Sequence, residues 1–161
     1  MDGVAFLDIE ASGLNEKSWP VEIGWALPDQ AETSLIVKPD PAWPDAGWDP
    51  SAEELHGLHR DTLDADGLPA KVVCERLNKA LRGRTVYSDA IDWDGFWLYR
   101  LFQAGRQRPA FLLESFNAII DGLSPRRRDA VLIAHDALAP GGHRAATDAA
   151  RLLGLYRIAI A

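Results

Sequence analysis

Cysteine is almost missing from this chain of 161 residues: Cys74 stands alone. No disulfide framework can form within it, and a reducing compartment is expected. Long apolar runs are missing too. No stretch approaches the ~20 residues that a membrane-spanning helix needs. The opening segment MDGVAFLDIEASG has no basic n-region, and its apolar run is too short for a signal peptide. These lacks predict a cytoplasmic protein with no membrane partner. Positive charge is in deficit, with 17 Lys and Arg against 24 Asp and Glu, a net charge of -7. That excludes a broad basic surface of the kind that coats duplex nucleic acid. An enzyme that meets phosphates through metal ions and a small groove is not excluded. Repeats and low-complexity tracts are absent, and the composition, 47% hydrophobic and 25% charged, fits one globular domain over 1–161.

What is present reads as strands first and alternation afterwards. Apolar, β-favouring runs predict strands over Val4–Glu10, Val21–Leu27 and Thr33–Lys38, joined by short connections into an antiparallel meander. The segment from Pro39 to Pro50, with four prolines and two tryptophans, is a loop. Ser51 is placed to cap a short helix, with Glu54 completing a capping box. Val73, Leu77, Ala80 and Leu81 give a helix over Pro69–Leu81 its inward stripe, and Gly83 ends it. A strand follows over Arg84–Ser88, a helix over Trp93–Gln103 and a strand over Pro109–Leu113. Three further helices are expected over Leu113–Gly122, Pro125–His135 and Ala145–Leu153. Arg126, Arg127 and Arg128 open the Pro125 helix, as a solvated face or a phosphate-contacting patch. The order implies an α/β fold with a mixed sheet and helices on its faces.

The acids carry the chemistry. Successive side chains of a strand alternate, so Asp8 and Glu10 share one face with Val4 and Phe6. Two buried anions side by side require a cation. Residues 1–16 offer no lysine or arginine, which leaves a divalent metal with oxygen ligands as the natural alternative. Asp94 lies on the apolar face of its helix, with Trp97, Leu98 and Leu101 at i+3, i+4 and i+7. It reads as a metal ligand or as a cap, a role that neighbouring Asp92 fills better. Asp148 lines up with Leu152 and Leu155 in the same way. Three elements thus bring acid inward, and one shared cluster is the simplest explanation. His143 precedes Asp148 by five residues, about 140° around a helix. With Pro140-Gly141-Gly142 just before it, His143 is expected at the helix entrance or on a mobile loop, suited to take a proton from water. His56, His59 and His135 compete for that role, with His135 read as structural.

Together these residues resemble the DEDD superfamily of 3′–5′ exonucleases, in its histidine-bearing branch, to which ribonuclease T, oligoribonuclease and proofreading subunits belong. The stretches that carry the resemblance are Asp8-Ile9-Glu10-Ala11-Ser12-Gly13-Leu14, Val21-Glu22-Ile23-Gly24, Glu54-Leu55-His56-Gly57-Leu58 and His143-x4-Asp148. The middle motif departs: the family's His-Asn is missing, and Asp94, followed by Trp97-Leu98, takes the aspartate position, with Asp92 and Asp89 as rivals. The resemblance implies a ribonuclease H-like fold with a five-stranded sheet. It implies two Mg²⁺ or Mn²⁺ ions on Asp8, Glu10, Asp94 and Asp148, and His143 as general base. It further implies hydrolysis of single-stranded RNA or DNA from the 3′ end to nucleoside 5′-monophosphates, with Ala11, Ser12, Gly13 and Leu14 along the terminal nucleotide. Homodimerisation is frequent among small relatives of this kind. Trp19, in a loop, is expected to offer a stacking surface, as is Trp93, while Trp97 is expected in the core. Two other readings stand beside this one: a Mg²⁺-dependent phosphohydrolase with Asp8 as nucleophile, and a non-catalytic ribonuclease H-like binding subunit.

Overall fold

The computed structural model describes residues 3–138 and 143–161. Its first three strands, β1 (Val4–Ala11), β2 (Pro20–Ala26) and β3 (Thr33–Ile36), form the expected antiparallel meander. Two later strands, β4 (Thr85–Ser88) and β5 (Leu112–Ser115), join parallel to β1, giving the order β3-β2-β1-β4-β5. The parallel step from the meander to β4 needs a crossover, and the helix α3 (Ala70–Leu81) lies on that connection. Before it come two short helices, α1 (Pro50–His56) and α2 (Arg60–Asp66). After β4 come α4 (Ile91–Ala104), α5 (Asn117–Asp121), α6 (Pro125–Ala137) and α7 (Ala145–Ile160).

The central strand β1 is apolar on both faces for most of its length. Ala5, Leu7, Ile9 and Ala11 pack with Val73 and Leu77 of α3 and with Trp97 and Leu101 of α4. Phe6, on the opposite face, packs with Phe116 and with Ala149, Leu152 and Leu155 of α7. Asp8 and Glu10 follow Phe6 on that second face, so they emerge where α7 begins.

One close approach fixes where that helix can start. A Cβ on Gly24 of β2 would lie 2.2 Å from the carbonyl carbon of Ala145, so only glycine lets the first turn of α7 sit on the sheet. Gly24→Ala should therefore destabilise the protein by about 1–3 kcal/mol, the usual penalty of overpacking against a backbone that has to shift. A urea melt at unchanged m-value measures it, and a midpoint equal to that of the wild type would refute the contact.

Several boundaries differ from those expected. Asp49, not Ser51, caps α1: its side chain accepts from the Ser51 N–H at 2.9 Å, and the turn closes on Gly57 at φ 70°. The fifth strand runs later than Pro109–Leu113. The Asn78 side chain holds Ala110 N–H and the Arg108 carbonyl in a loop, so pairing with β4 begins only at Leu112. The helix expected over Leu113–Gly122 shrinks accordingly to α5. Asp92 does not cap α4 but lies in its first turn, with Ala90 at the cap position. The last helix continues past Leu153 to Ile160. α2 was not anticipated: it buries one side chain, Leu63, too little periodicity to read.

Candidate metal centre

Carboxylates from β1, the turn after β4, α4 and α7 meet at one end of the sheet. Asp8, Glu10 and Asp148 each offer an oxygen within 4.8 Å of the others, and so do Asp8, Asp89 and Asp94. Asp8 belongs to both groups and so sits at the centre. Asp94, 1% exposed, reaches it from the first turn of α4 and accepts a hydrogen bond from Ser88 Oγ at 2.5 Å. Asp89 was anticipated only as a rival to Asp94, yet the two share a group. The other rival, Asp92, lies exposed and outside both.

The cluster is electrostatically uncomfortable. Burial, then repulsion from Asp94, Glu10, Asp148 and Asp89, pushes the Asp8 carboxyl up to about 9. Burial and the charges of Asp148 and Glu22 push Glu10 up to about 7, against the pull of Arg144. Asp94 is raised to about 7, chiefly by burial, although the Ser88 hydrogen bond works against it. Asp8 Oδ2 is buried without a hydrogen-bond partner among the described residues. An all-oxygen donor set with one orphaned oxygen at its centre fits a hard divalent cation such as Mg²⁺ or Mn²⁺.

Two arginines of the α7 segment supply the positive charge that residues 1–16 lack. Arg144 forms a two-pronged pair with Glu22, 0% exposed, through Nε and Nη2, each at 2.8 Å, and the Ala145 N–H donates to the same carboxylate at 3.3 Å. Burial alone would raise Glu22, but the Arg144 hydrogen bonds bring it below the ordinary carboxylate range. Glu22 thus pins the start of α7 to β2, next to the space that Gly24 leaves open. The sequence signal was an acid inside a strand of otherwise uncharged residues, with no lysine or arginine in the strand itself. The second arginine, Arg151, contacts Asp89 at 3.3 Å and approaches Asp148 at 3.8 Å.

His143 lies outside α7, one residue before its cap, with φ +42°. It is exposed and lines a pocket together with Glu10, Ala11, Gly13, Leu14 and Leu55. The expected mobile loop at Pro140-Gly141-Gly142 lies outside the described residues. Of the other histidines, His56 is buried and accepts from Leu58 N–H through Nδ1 at 3.0 Å, and His59 pairs with Glu53. His135, expected to be structural, is exposed on α6 and faces Asp136. Arg126 and Arg127 are solvated, while Arg128 donates to the Asp121 carbonyl.

Two expected substrate residues are engaged elsewhere. Trp19 is 1% exposed, stacked on Trp43 and tilted against Trp48, with Nε1–H donating to the Pro44 carbonyl. The proline-rich loop covers it, so it offers no stacking surface. Ser12 is fully buried; its hydroxyl donates to the Gly47 carbonyl and accepts from Trp19 N–H. Ala11, Gly13 and Leu14 do face the pocket. Trp97 is in the core as expected, its Nε1–H donating to Ser18 Oγ, and Trp93 stacks on it at the surface.

The five-stranded mixed sheet with flanking helices is the ribonuclease H-like architecture, and the acids gather where β1 leaves it. Solved structures of exonuclease I share it. The enzyme from Methylocaldum szegediense superposes with a TM-score of 0.70 at 15% identity, over 97% of this chain and 40% of that one. A zinc-bound complex of E. coli exonuclease I with single-stranded DNA gives 0.72 at 11% identity, over 96% and 39%. A further structure of exonuclease I, described in terms of processivity, gives 0.74 at 12% identity, over 98% and 40%. This chain therefore spans about 40% of the length of these neighbours. No family model matches the sequence, and no curated protein matches it. Homodimerisation finds no support in these neighbours. Among the described residues, no helix is long and apolar enough to cross a membrane.

Proposed function

We propose that residues 1–161 form a metal-dependent 3′–5′ exonuclease domain of the histidine-bearing DEDD type, acting on single-stranded RNA or DNA. The observation that carries this reading is the meeting of acids from distant parts of the chain in two groups that share Asp8, beside a pocket bearing His143. Asp8, Glu10, Asp94 and Asp148 would hold two Mg²⁺ or Mn²⁺ ions, with Asp89 as an additional donor. Such a pair stabilises both the attacking and the leaving oxygen of a phosphodiester.

The chain's own residues do the rest. His143, exposed beside Glu10, takes the proton of the attacking water. Ala11 and Gly13 form the floor under the terminal nucleoside. Leu14 and Leu55, 69% and 55% exposed, flank the pocket as apolar walls for a base. The Glu22–Arg144 pair holds the start of α7, so that His143 and Asp148 keep a fixed relation to β1. A nucleoside 5′-monophosphate leaves. The likeness to exonuclease I, one structure of which holds single-stranded DNA, supports the same reading at the level of fold.

The test is digestion of single-stranded RNA, single-stranded DNA, duplex and dinucleotides with Mg²⁺ or Mn²⁺, followed by product identification. Nucleoside 5′-monophosphates released in order from the 3′ end, and none in EDTA, are expected. A trapped aspartyl-phosphate on Asp8, or tight binding without turnover on every substrate, would overturn the proposal.

A further inference from the structure

We propose that Arg151 is a resident cation of the acid cluster, one that a divalent ion must displace from Asp89. The inference rests on the metal-binding reading above. Arg151 lies three residues beyond Asp148 in α7, its side chain 20% exposed. Nη2 is 3.3 Å from Asp89 Oδ2, and Nε is 3.8 Å from Asp148 Oδ1. The two carboxylates belong to different groups, Asp89 with Asp94 and Asp148 with Glu10, and Asp8 joins both. One guanidinium therefore spans the two candidate cation positions.

The manner of contact separates Arg151 from Arg144. Arg144 meets Glu22 with two parallel hydrogen bonds of 2.8 Å, the geometry of a permanent clamp. Arg151 makes one long hydrogen bond and one approach beyond hydrogen-bond range, and its Nε is buried without a partner among the described residues. It is held by charge rather than by fit. The five carboxylates of the cluster repel one another, and Arg151 offsets part of that repulsion before metal arrives. Once a divalent ion enters the Asp8–Asp89–Asp94 group, the guanidinium and the ion compete for Asp89. That position should be the weaker of the two.

Titration calorimetry with MnCl₂ and MgCl₂ on the metal-free full chain tests this, with Arg151→Gln and Arg151→Lys beside the wild type. In Arg151→Gln the weaker binding step should tighten by roughly tenfold, the order expected when a unit charge is removed a few ångströms from a cation at a partly solvated site. Arg151→Lys keeps the charge and should stay near the wild type. Melting separates the role from a purely structural one. Arg151→Gln should melt below the wild type in EDTA and regain most of the difference in saturating Mn²⁺. Unchanged or weakened metal binding in Arg151→Gln, or the same drop in Tm with and without metal, would overturn the inference. Should Arg151→Gln be unfolded in EDTA, refolding on addition of Mn²⁺ supports the role, and failure to refold refutes it. A wild type that binds neither ion removes the functional reading as well, whereas normal wild-type binding with an unmoved Arg151→Gln isotherm removes this inference alone.

Discussion

Asp8→Asn should lower exonuclease activity by about three orders of magnitude or more, while the metal-free protein becomes more stable. Both effects follow from the place of Asp8 in both carboxylate groups. On the proposed reading, the change takes a charged carboxylate from each candidate cation position at once. Lewis-acid stabilisation of a phosphoryl transition state contributes several kcal/mol, and ~1.4 kcal/mol is a factor of ten in rate. The gain in stability has the same origin. Burial and four neighbouring acids disfavour the Asp8 carboxylate, and its Oδ2 has no hydrogen-bond partner among the described residues. A neutral amide of the same shape relieves that repulsion. A variant that simply misfolds would lose both activity and stability, so the opposite signs are diagnostic. His143→Ala makes the useful contrast: about 100- to 10,000-fold is expected to be lost with a general base, yet the metal-induced rise in Tm should survive, because His143 lies in neither carboxylate group. An Asp8→Asn protein that keeps more than roughly a tenth of the rate would sink the assignment, since the proposal makes Asp8 a ligand of both ions.

The acids on which these expectations rest are legible in the sequence. Alternation on β1 placed Asp8 and Glu10 on one face, and helical spacing placed Asp94 and Asp148 inward; both hold in three dimensions because each depends only on residues a few positions apart. The meander was readable for the same reason. Trp19 was not: its loop position suggested exposure, but Trp43 and Trp48, more than 20 residues on, fold over it. Nothing local encodes that cover. Ser12 is lost to the substrate pocket through the same loop, by way of the Gly47 carbonyl. The cation sought near Asp8 was absent from residues 1–16 because it comes from α7. Glu22 and Arg144 are 122 positions apart, and Asp89 and Arg151 are 62 apart. Charges that are satisfied only by the tertiary fold look unpaired along the chain, which is why Glu22 reads as part of a strand motif and nothing marks Arg151.

In EDTA, the protein should lose stability steadily as pH rises, and divalent metal should reverse the trend. The ordinary pKa values of Asp8, Glu10 and Asp94 are 3.8, 4.5 and 3.8, whereas in the fold they stand at about 9, 7 and 7. Between those limits the folded chain binds more protons than the unfolded one, so its stability falls with increasing pH. The contribution is complete below about pH 4, is lost for Glu10 and Asp94 near pH 7, and for Asp8 continues to fall until about pH 9. Glu22 runs the other way: its lowered pKa adds stability above its ordinary value of 4.5, which is lost only on further acidification. It cannot mask the decline at higher pH. Metal binding needs the carboxylates ionised, so the stabilisation it brings grows as protons leave. An ion present at about a hundredfold its dissociation constant adds ~2.7 kcal/mol, or roughly 5–10 °C in Tm for a chain of this size. Thermal melts in EDTA and in millimolar Mn²⁺ or Mg²⁺, from about pH 5 to pH 9, should therefore diverge as pH rises, with the metal curve above. A Tm in EDTA that climbs over this range, or a metal-induced shift as large at the acid end as at the alkaline end, would mean that the acids do not repel one another as their positions require.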